Sequence, residues 1–160
     1  MVFQRPVMLR RSAAANIDHA LALRGMTTAD RARRTGEALA RTGLMALAER
    51  PARVLSVGEQ QRLALARAWA LQPDVLFLDE PTASLDTSAT RAVEAIIDAI
   101  HAAGTKIVMT THDHGQARRF GDDVLFLHRG RLVERAPGAQ FFDRPQTELA
   151  AAFLRGDLLW

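Results

Sequence analysis

Two adjacent carboxylates, Asp79 and Glu80, follow the apolar run Val75-Leu76-Phe77-Leu78. Such a run predicts a strand buried on both faces. In a parallel sheet, ligands bind outside the C-terminal ends of the strands. A carboxylate at that edge can help hold Mg²⁺, a hard cation that prefers oxygen ligands and keeps several waters. A second, adjacent carboxylate can polarise an attacking water. The plainer alternative is a strand that ends in an acidic turn.

A second constellation is Leu55-Ser56-Val57-Gly58-Glu59, placed just before a helical stretch that begins near Glu59 and ends before Pro73. A hydroxyl and a glycine at a helix N-terminus make an anion site, because free backbone N–H groups and the helix dipole point outward. Ser56 can equally serve as a helix cap. Capping alone does not account for the continuation Gln60-Gln61-Arg62-Leu63-Ala64-Leu65-Ala66-Arg67-Ala68, nor for its distance from Asp79.

The elements that must position these residues follow from periodicity and punctuation. Ala-rich helices are expected near Ser12–Leu23 and Thr28–Thr42, with Ser12 and Thr28 as caps and Gly25 and Gly43 as stops. Ser88–Ala102 reads as a helix ended by Gly104, and Lys106–Met109 as a second buried strand. This strand–helix–strand rhythm implies a parallel sheet. Beyond it come a short helix at Gln116–Phe120 and a hairpin of Val124–Leu127 with Arg131–Glu134 around His128-Arg129-Gly130. The tail, Phe141–Leu159, carries a helix around Thr147–Leu154.

Taken in order, these segments resemble the ATP-binding cassette (ABC) ATPases over nearly the whole chain. Leu55–Ala68 resembles the family's signature sequence, and Val75–Glu80 its Walker B strand, with Glu80 matching the catalytic glutamate. Ser84-Leu85-Asp86 is similar to the D-loop, Thr111-His112-Asp113 to the switch-histidine loop, and Gln4 matches the Q-loop glutamine. Val57 stands where the family usually has glycine, and Glu59 where it usually has glutamine. The resemblance implies an α/β fold: a partial P-loop NTPase (RecA-like) parallel sheet with helices, plus an α-helical ABC subdomain. About residues 5–55 would form the helical subdomain, about 56–135 the α/β core, and 136–160 a C-terminal tail.

The resemblance also implies roles. ATP and Mg²⁺ are the cofactors. Asp79 acts on Mg²⁺ through water, with Gln4 linking the metal site to the helical zone. Glu80 is the general base and His112 contacts the γ-phosphate. Ser56, Gly58 and Glu59 face the nucleotide of a second ABC ATPase subunit in a head-to-tail dimer, and Asp86 sits at that interface. The other expected partner is a membrane permease, with the chain cytoplasmic and peripheral on the inner face of the cell membrane. The segments Val2–Ser12 and Phe153–Trp160 resemble importer ATPases for oxyanions, especially the tungstate type; phosphate, molybdate and amino-acid import stay open. A non-transport ABC ATPase and a non-catalytic interaction module are the alternatives.

The family's phosphate-cradling Walker A loop needs G-x-x-x-x-G-K-[ST]. The only lysine is Lys106, between Thr105 and Ile107, which does not fit that pattern. The family places the loop upstream of the residue matching Gln4. The expectation is therefore a truncated chain, with Met1 an internal methionine, that does not hydrolyse ATP alone. The neighbours of the Val75–Leu78 strand would be missing with it, leaving an open edge.

Composition adds exclusions. There is no cysteine, so thiolate metal sites and disulfides are ruled out. Net charge is +3, and all basic residues but Lys106 are arginine, which reads as a solvated surface rather than a nucleic-acid face. No run reaches the ~20 apolar residues of a membrane span. His19, His101, His114 and His128 show no metal-ligand spacing, and Trp69 reads as packing.

Overall fold

The computed structural model describes residues 1–157. Leu158, Leu159 and Trp160, the end of the expected tail, lie outside the described residues. The chain divides into two compact units, Met1–Thr110 and Thr111–Trp160.

In the first unit, three helices precede the strands: α1 (Ala13–Ala22), α2 (Thr28–Arg41) and α3 (Val57–Ala70). Two short 3₁₀ turns, Met45–Leu47 and Ala52–Val54, join α2 to α3. Ser12 caps α1, its hydroxyl accepting from the Ala15 amide. The cap of α2 is Thr27 rather than Thr28, because Asp30 then falls on the third helical position. There the Thr27 hydroxyl accepts the Asp30 amide and donates to the Asp30 carboxylate at 2.7 Å. The three helices pack on one another and share a core of Ile17, Leu21, Leu39, Leu44, Leu63 and Leu65.

The strands β1 (Val75–Asp79) and β2 (Lys106–Thr110) pair in parallel, joined by α4 (Thr87–Ala102). This is the strand–helix–strand unit the sequence implies. The expectation that both strands are buried on two faces is corrected. Leu76 and Leu78 are buried, Leu78 to 1% exposure, but Phe77 between them is 50% exposed. Val75 is exposed beside it. In register with Phe77, Val108 of β2 is exposed too, and Ile107 and Met109 are only half-buried. The reason is that Leu76 and Leu78, which alternate along the strand, lie on its buried face, while none of the described residues seals the opposite face. The other edge of β1 is partly paired. Val2 forms an isolated parallel bridge to Leu78, donating to the Phe77 carbonyl and accepting from the Asp79 amide.

The second unit contains α5 (His114–Phe120), β3 (Asp123–His128), β4 (Arg131–Pro137), α6 (Gly138–Asp143) and α7 (Glu148–Arg155). The antiparallel hairpin turns at Arg129-Gly130, both with positive φ, as a two-residue turn matched to strand twist requires. Phe126, Ala136, Phe141 and Ala150 form its core, with the Phe153 ring 4.9 Å from that of Phe126. Helix α6 was not expected; it follows directly on β4. Buried Glu134 binds the α7 entry, accepting from the Gln146 and Thr147 amides and the Thr147 hydroxyl. Burial pushes this carboxyl upward, but those three donors outweigh it and hold it below its ordinary value.

One-sided burial of β1 has a measurable consequence. Leu78→Ala is expected to cost about 2–5 kcal/mol of unfolding free energy. Phe77→Thr, which keeps a strand-forming residue on the open face, is expected to cost less than about 1 kcal/mol. Urea unfolding of the two variants checks the difference. Equal costs would mean that both faces of the strand are packed.

Candidate functional site

The two carboxylates sit where β1 ends. Parallel register places Asp79 beside Thr110. The Thr110 hydroxyl donates to Asp79 Oδ1 at 2.7 Å, and the Thr110 carbonyl accepts the Glu80 amide at 3.0 Å. Glu80 itself has φ +42°, in the left-handed region that costs a non-glycine residue about 1–3 kcal/mol and that clusters at functional sites. It closes the strand and opens the turn through Ala83, whose amide donates to the Glu80 carbonyl. Val2 flanks β1 on the other edge, so Gln4 lies two residues past the bridge as Glu80 lies two past Leu78. Gln4 is exposed.

The Leu55–Glu59 segment forms the N-terminus of α3. Ser56 is the cap, its hydroxyl accepting the Glu59 amide at 3.3 Å. The Glu59 carboxylate turns back to accept the Ser56 amide at 2.8 Å, completing a reciprocal capping box. The Ser56 backbone amide, then contact with its hydroxyl, hold the Glu59 carboxyl below its ordinary value, with Arg62 and Arg50 adding to the effect. The negative charge introduced at this position is thus tied into the helix cap. Val57 is the first helical residue and is exposed, so a side chain in place of the usual glycine is accommodated there.

Gly58 is constrained by packing. A Cβ there would meet the Ala89 Cβ at 2.8 Å, closer than real Cβ atoms approach. Glycine therefore lets the start of α3 abut the start of α4. Asp86 caps α4, its Oδ1 accepting the Ala89 amide at 2.8 Å. The structure thus brings Gly58 to the helix that Asp86 begins, and Asp79 and Glu80 to Thr110. His112 belongs to the second unit, exposed on the bend before α5. Beside it Asp113 caps α5, accepting the Gln116 amide. His114 packs on the Phe153 ring at 4.4 Å. Among the described residues no three His, Asp or Glu side chains gather as a metal cluster, and no helix is long and apolar enough to cross a membrane.

Sequence reasoning missed Thr110 and Ala89. Thr110 acts through strand register, which no local pattern reveals. Ala89 acts through a helix contact whose only trace in the sequence is the glycine opposite.

A parallel β–α–β unit with paired carboxylates at the strand end and a capped helix N-terminus defines a partial nucleotide-triphosphatase-type α/β domain. The chain belongs to the ABC transporter family, whose model matches residues 1–83. It is 41% identical over 124 residues to the phosphate import ATP-binding protein PstB 2 of Natronomonas pharaonis, covering 78% of this chain and 44% of that protein. It is 41% identical to the tungstate uptake system ATP-binding protein TupC of Peptoclostridium acidaminophilum, covering 84% of this chain and 63% of that protein. Among solved structures, cbiO1 from Clostridium perfringens, part of the ABC transporter complex cbiONQ, superposes with TM-score 0.80 at 27% identity, covering 96% of this chain and 62% of that one. The chain spans about half the length of the curated relatives it matches.

The capping box gives a direct test. Ser56→Ala is expected to destabilise the first unit by about 0.5–2 kcal/mol. Because the folded Glu59 carboxyl titrates below its ordinary value of 4.5, its contribution is fully present above that pH and is lost as pH falls through the folded value. Glu59→Gln should therefore narrow the stability gap between pH 7 and pH 3, read by chemical denaturation at each pH. An unchanged gap would mean that the carboxylate is not held by the cap.

Proposed function

We propose that this chain is part of the ATP-binding subunit of an ABC importer, with an oxyanion, tungstate first, as cargo. The observation that carries the reading is the Asp79-Glu80 pair, anchored by Thr110 at the end of β1 with Glu80 in a left-handed conformation. In this role Glu80 takes a proton from the water that attacks the γ-phosphate. Asp79 would hold Mg²⁺ through water. Its donor set fits: Oδ1 is oriented by Thr110, and a carboxylate supplies hard oxygen donors for a hard cation. Bound Mg²⁺ neutralises charge on the phosphate oxygens. Gln4, at the same edge, ties this end of the sheet to the helical zone. His112 would contact the γ-phosphate.

Ser56, Gly58 and Glu59 present the α3 N-terminus to the nucleotide of a second ABC ATPase subunit, arranged head to tail, with Asp86 at the interface. Dipole and free amides make that helix end attractive to a phosphate. The further partner is a membrane permease, with the subunit cytoplasmic and peripheral on the inner membrane face. Support for tungstate comes from the tungstate uptake relative, 41% identical over 84% of this chain. The resemblance of Val2–Ser12 to tungstate-type importers points the same way.

A second reading, a non-catalytic module that completes a partner's site, is favoured by one observation. The sole lysine, Lys106, lies in β2, so no Walker A lysine is present among these 160 residues.

Two measurements separate the readings. The purified 160-residue chain is expected to show no Mg-ATP turnover above buffer; turnover at ordinary ATPase rates would overturn the split of roles. In a version extended upstream that restores turnover, Glu80→Gln should lower kcat by about 10²–10⁴-fold. A smaller loss would take Glu80 out of the base role.

A further inference from the structure

The arginines of α2 divide into two kinds. Arg31 pairs with Asp18 at 2.8 Å, and Arg33 with Glu37 at 2.8 Å. Arg34 and Arg41 have no carboxylate partner among the described residues. They stand about two helical turns apart, so both project from one face of α2. That face meets the end of α3, where a cavity of about 30 Å³ is lined by Arg34, Arg41, Glu37, Ala38, Trp69 and Ala70. Ala38 and Ala70 are buried, and their short side chains leave room between the larger ones.

The Arg34 guanidinium is only partly satisfied. Nη1 donates to the Ala70 carbonyl at 3.4 Å, where a cation complements the negative end of α3. Nε is buried without a partner, and Nη2 has none among the described residues. Nε–H and one Nη2–H run parallel, which is the fork by which a guanidinium grips a carboxylate. The Arg41 guanidinium lies over the Trp69 ring at 5.0 Å, and this contact holds a second cation on the cavity wall. Glu37, the acid on that wall, is already engaged by Arg33. The cavity therefore has two cations and a buried donor left unmade, which is costly, and it lacks an acceptor.

We propose that this cavity is a carboxylate subsite: the Arg34 fork takes both oxygens, and Arg41, held on Trp69, balances the charge from the side. Size sets the ligand class. Whole organic ligands occupy pockets of roughly 300–1,000 Å³. This cavity has room for about one or two waters, so it takes a headgroup while the body of the ligand stays outside. Seating both oxygens requires a small side-chain turn that uncovers Nε; Arg34 is half-buried, so its outer edge is within reach. Two sources supply the headgroup, a free monocarboxylate or an acidic side chain of a partner protein. None of the lining residues has a role in the nucleotide chemistry, so the subsite stands apart from the reading of Asp79, Glu80 and Ser56.

Trp160→Phe leaves Trp69 as the only indole, and its N–H resonance then reports the cavity in the 160-residue chain. In that background the probes are sodium acetate and the capped tripeptide Gly-Glu-Gly, each titrated at constant ionic strength against sodium chloride. At least one is expected to shift the resonance saturably, with a dissociation constant in the millimolar range that a headgroup alone allows. Saturation by acetate assigns a free carboxylate as sufficient, and saturation by the peptide alone assigns a protein partner. The capped Gly-Gln-Gly peptide should shift nothing. Arg34→Lys, which keeps the charge and loses the fork, and Arg41→Gln are each expected to weaken binding about tenfold. Arg24→Gln, exposed and outside the cavity, should leave it unchanged. The proposal is overturned by no saturable shift with either probe, by an equal response to the glutamine peptide, or by undiminished affinity in Arg34→Lys or Arg41→Gln. Equal weakening by Arg24→Gln also overturns it, since that would mean general charge attraction. Each of the two cavity variants decides by itself, so if one fails to fold the other still tests the site.

Discussion

The parallel pairing of β1 with β2 is the constraint on which the site rests. Register alone places Thr110 beside Asp79, where its hydroxyl orients one carboxylate oxygen and its carbonyl captures the Glu80 amide. With that amide held, Glu80 is kept in a left-handed conformation that an isolated strand end would relax. The strain is sustained because backbone pairing on one edge and the Val2 bridge on the other over-determine the position. A one-residue slip of β2 would replace Thr110 with Met109 or Thr111 and remove both contacts at once.

Helix α3 is the second organising element, and its two ends do different work. At the N-terminus, Ser56 and Glu59 satisfy one another's amides, and Gly58 permits close approach to α4. Toward the C-terminus, Arg67 reaches the Val7 carbonyl, while Arg41 lies over the Trp69 ring at 5.0 Å. Arg62, near the middle, donates to the Thr42 and Gly43 carbonyls, where a cation complements the negative end of α2. One helix thus gathers the end of α2, the start of α4 and the 3–12 segment. That explains why Gln61, a polar residue within the stretch Gln60–Ala68, is buried.

Much of this was legible from residue order. Alternating helix and strand signals, the helix-stopping glycines and the Arg129-Gly130 turn follow from short-range rules, and the structure agrees with them. Helix starts are displaced by one or two residues: α2 is capped by Thr27, and α3 begins at Val57 rather than Glu59. At α2 the acidic residue three positions on, Asp30, selects Thr27 over Thr28 as the cap, and at α3 the Ser56–Glu59 capping box sets the first helical residue at Val57. The reading of β1 and β2 as doubly buried went wrong because an apolar run reports how a strand can be buried, not whether something covers each face. Phe77 and Val108 are apolar and uncovered.

By itself the sequence determined the family, the order of elements, the carboxylate pair at a strand end and the hydroxyl–glycine pair at a helix start, because each depends on neighbours within a few residues. Only the tertiary structure decided that Thr110 orients Asp79, that Ala89 demands glycine at 58, and that Arg67 and Gln61 hold a backbone some sixty positions away. Those are contacts between residues far apart in the chain. They exist only once strand register and helix packing have been set, and no local pattern encodes either.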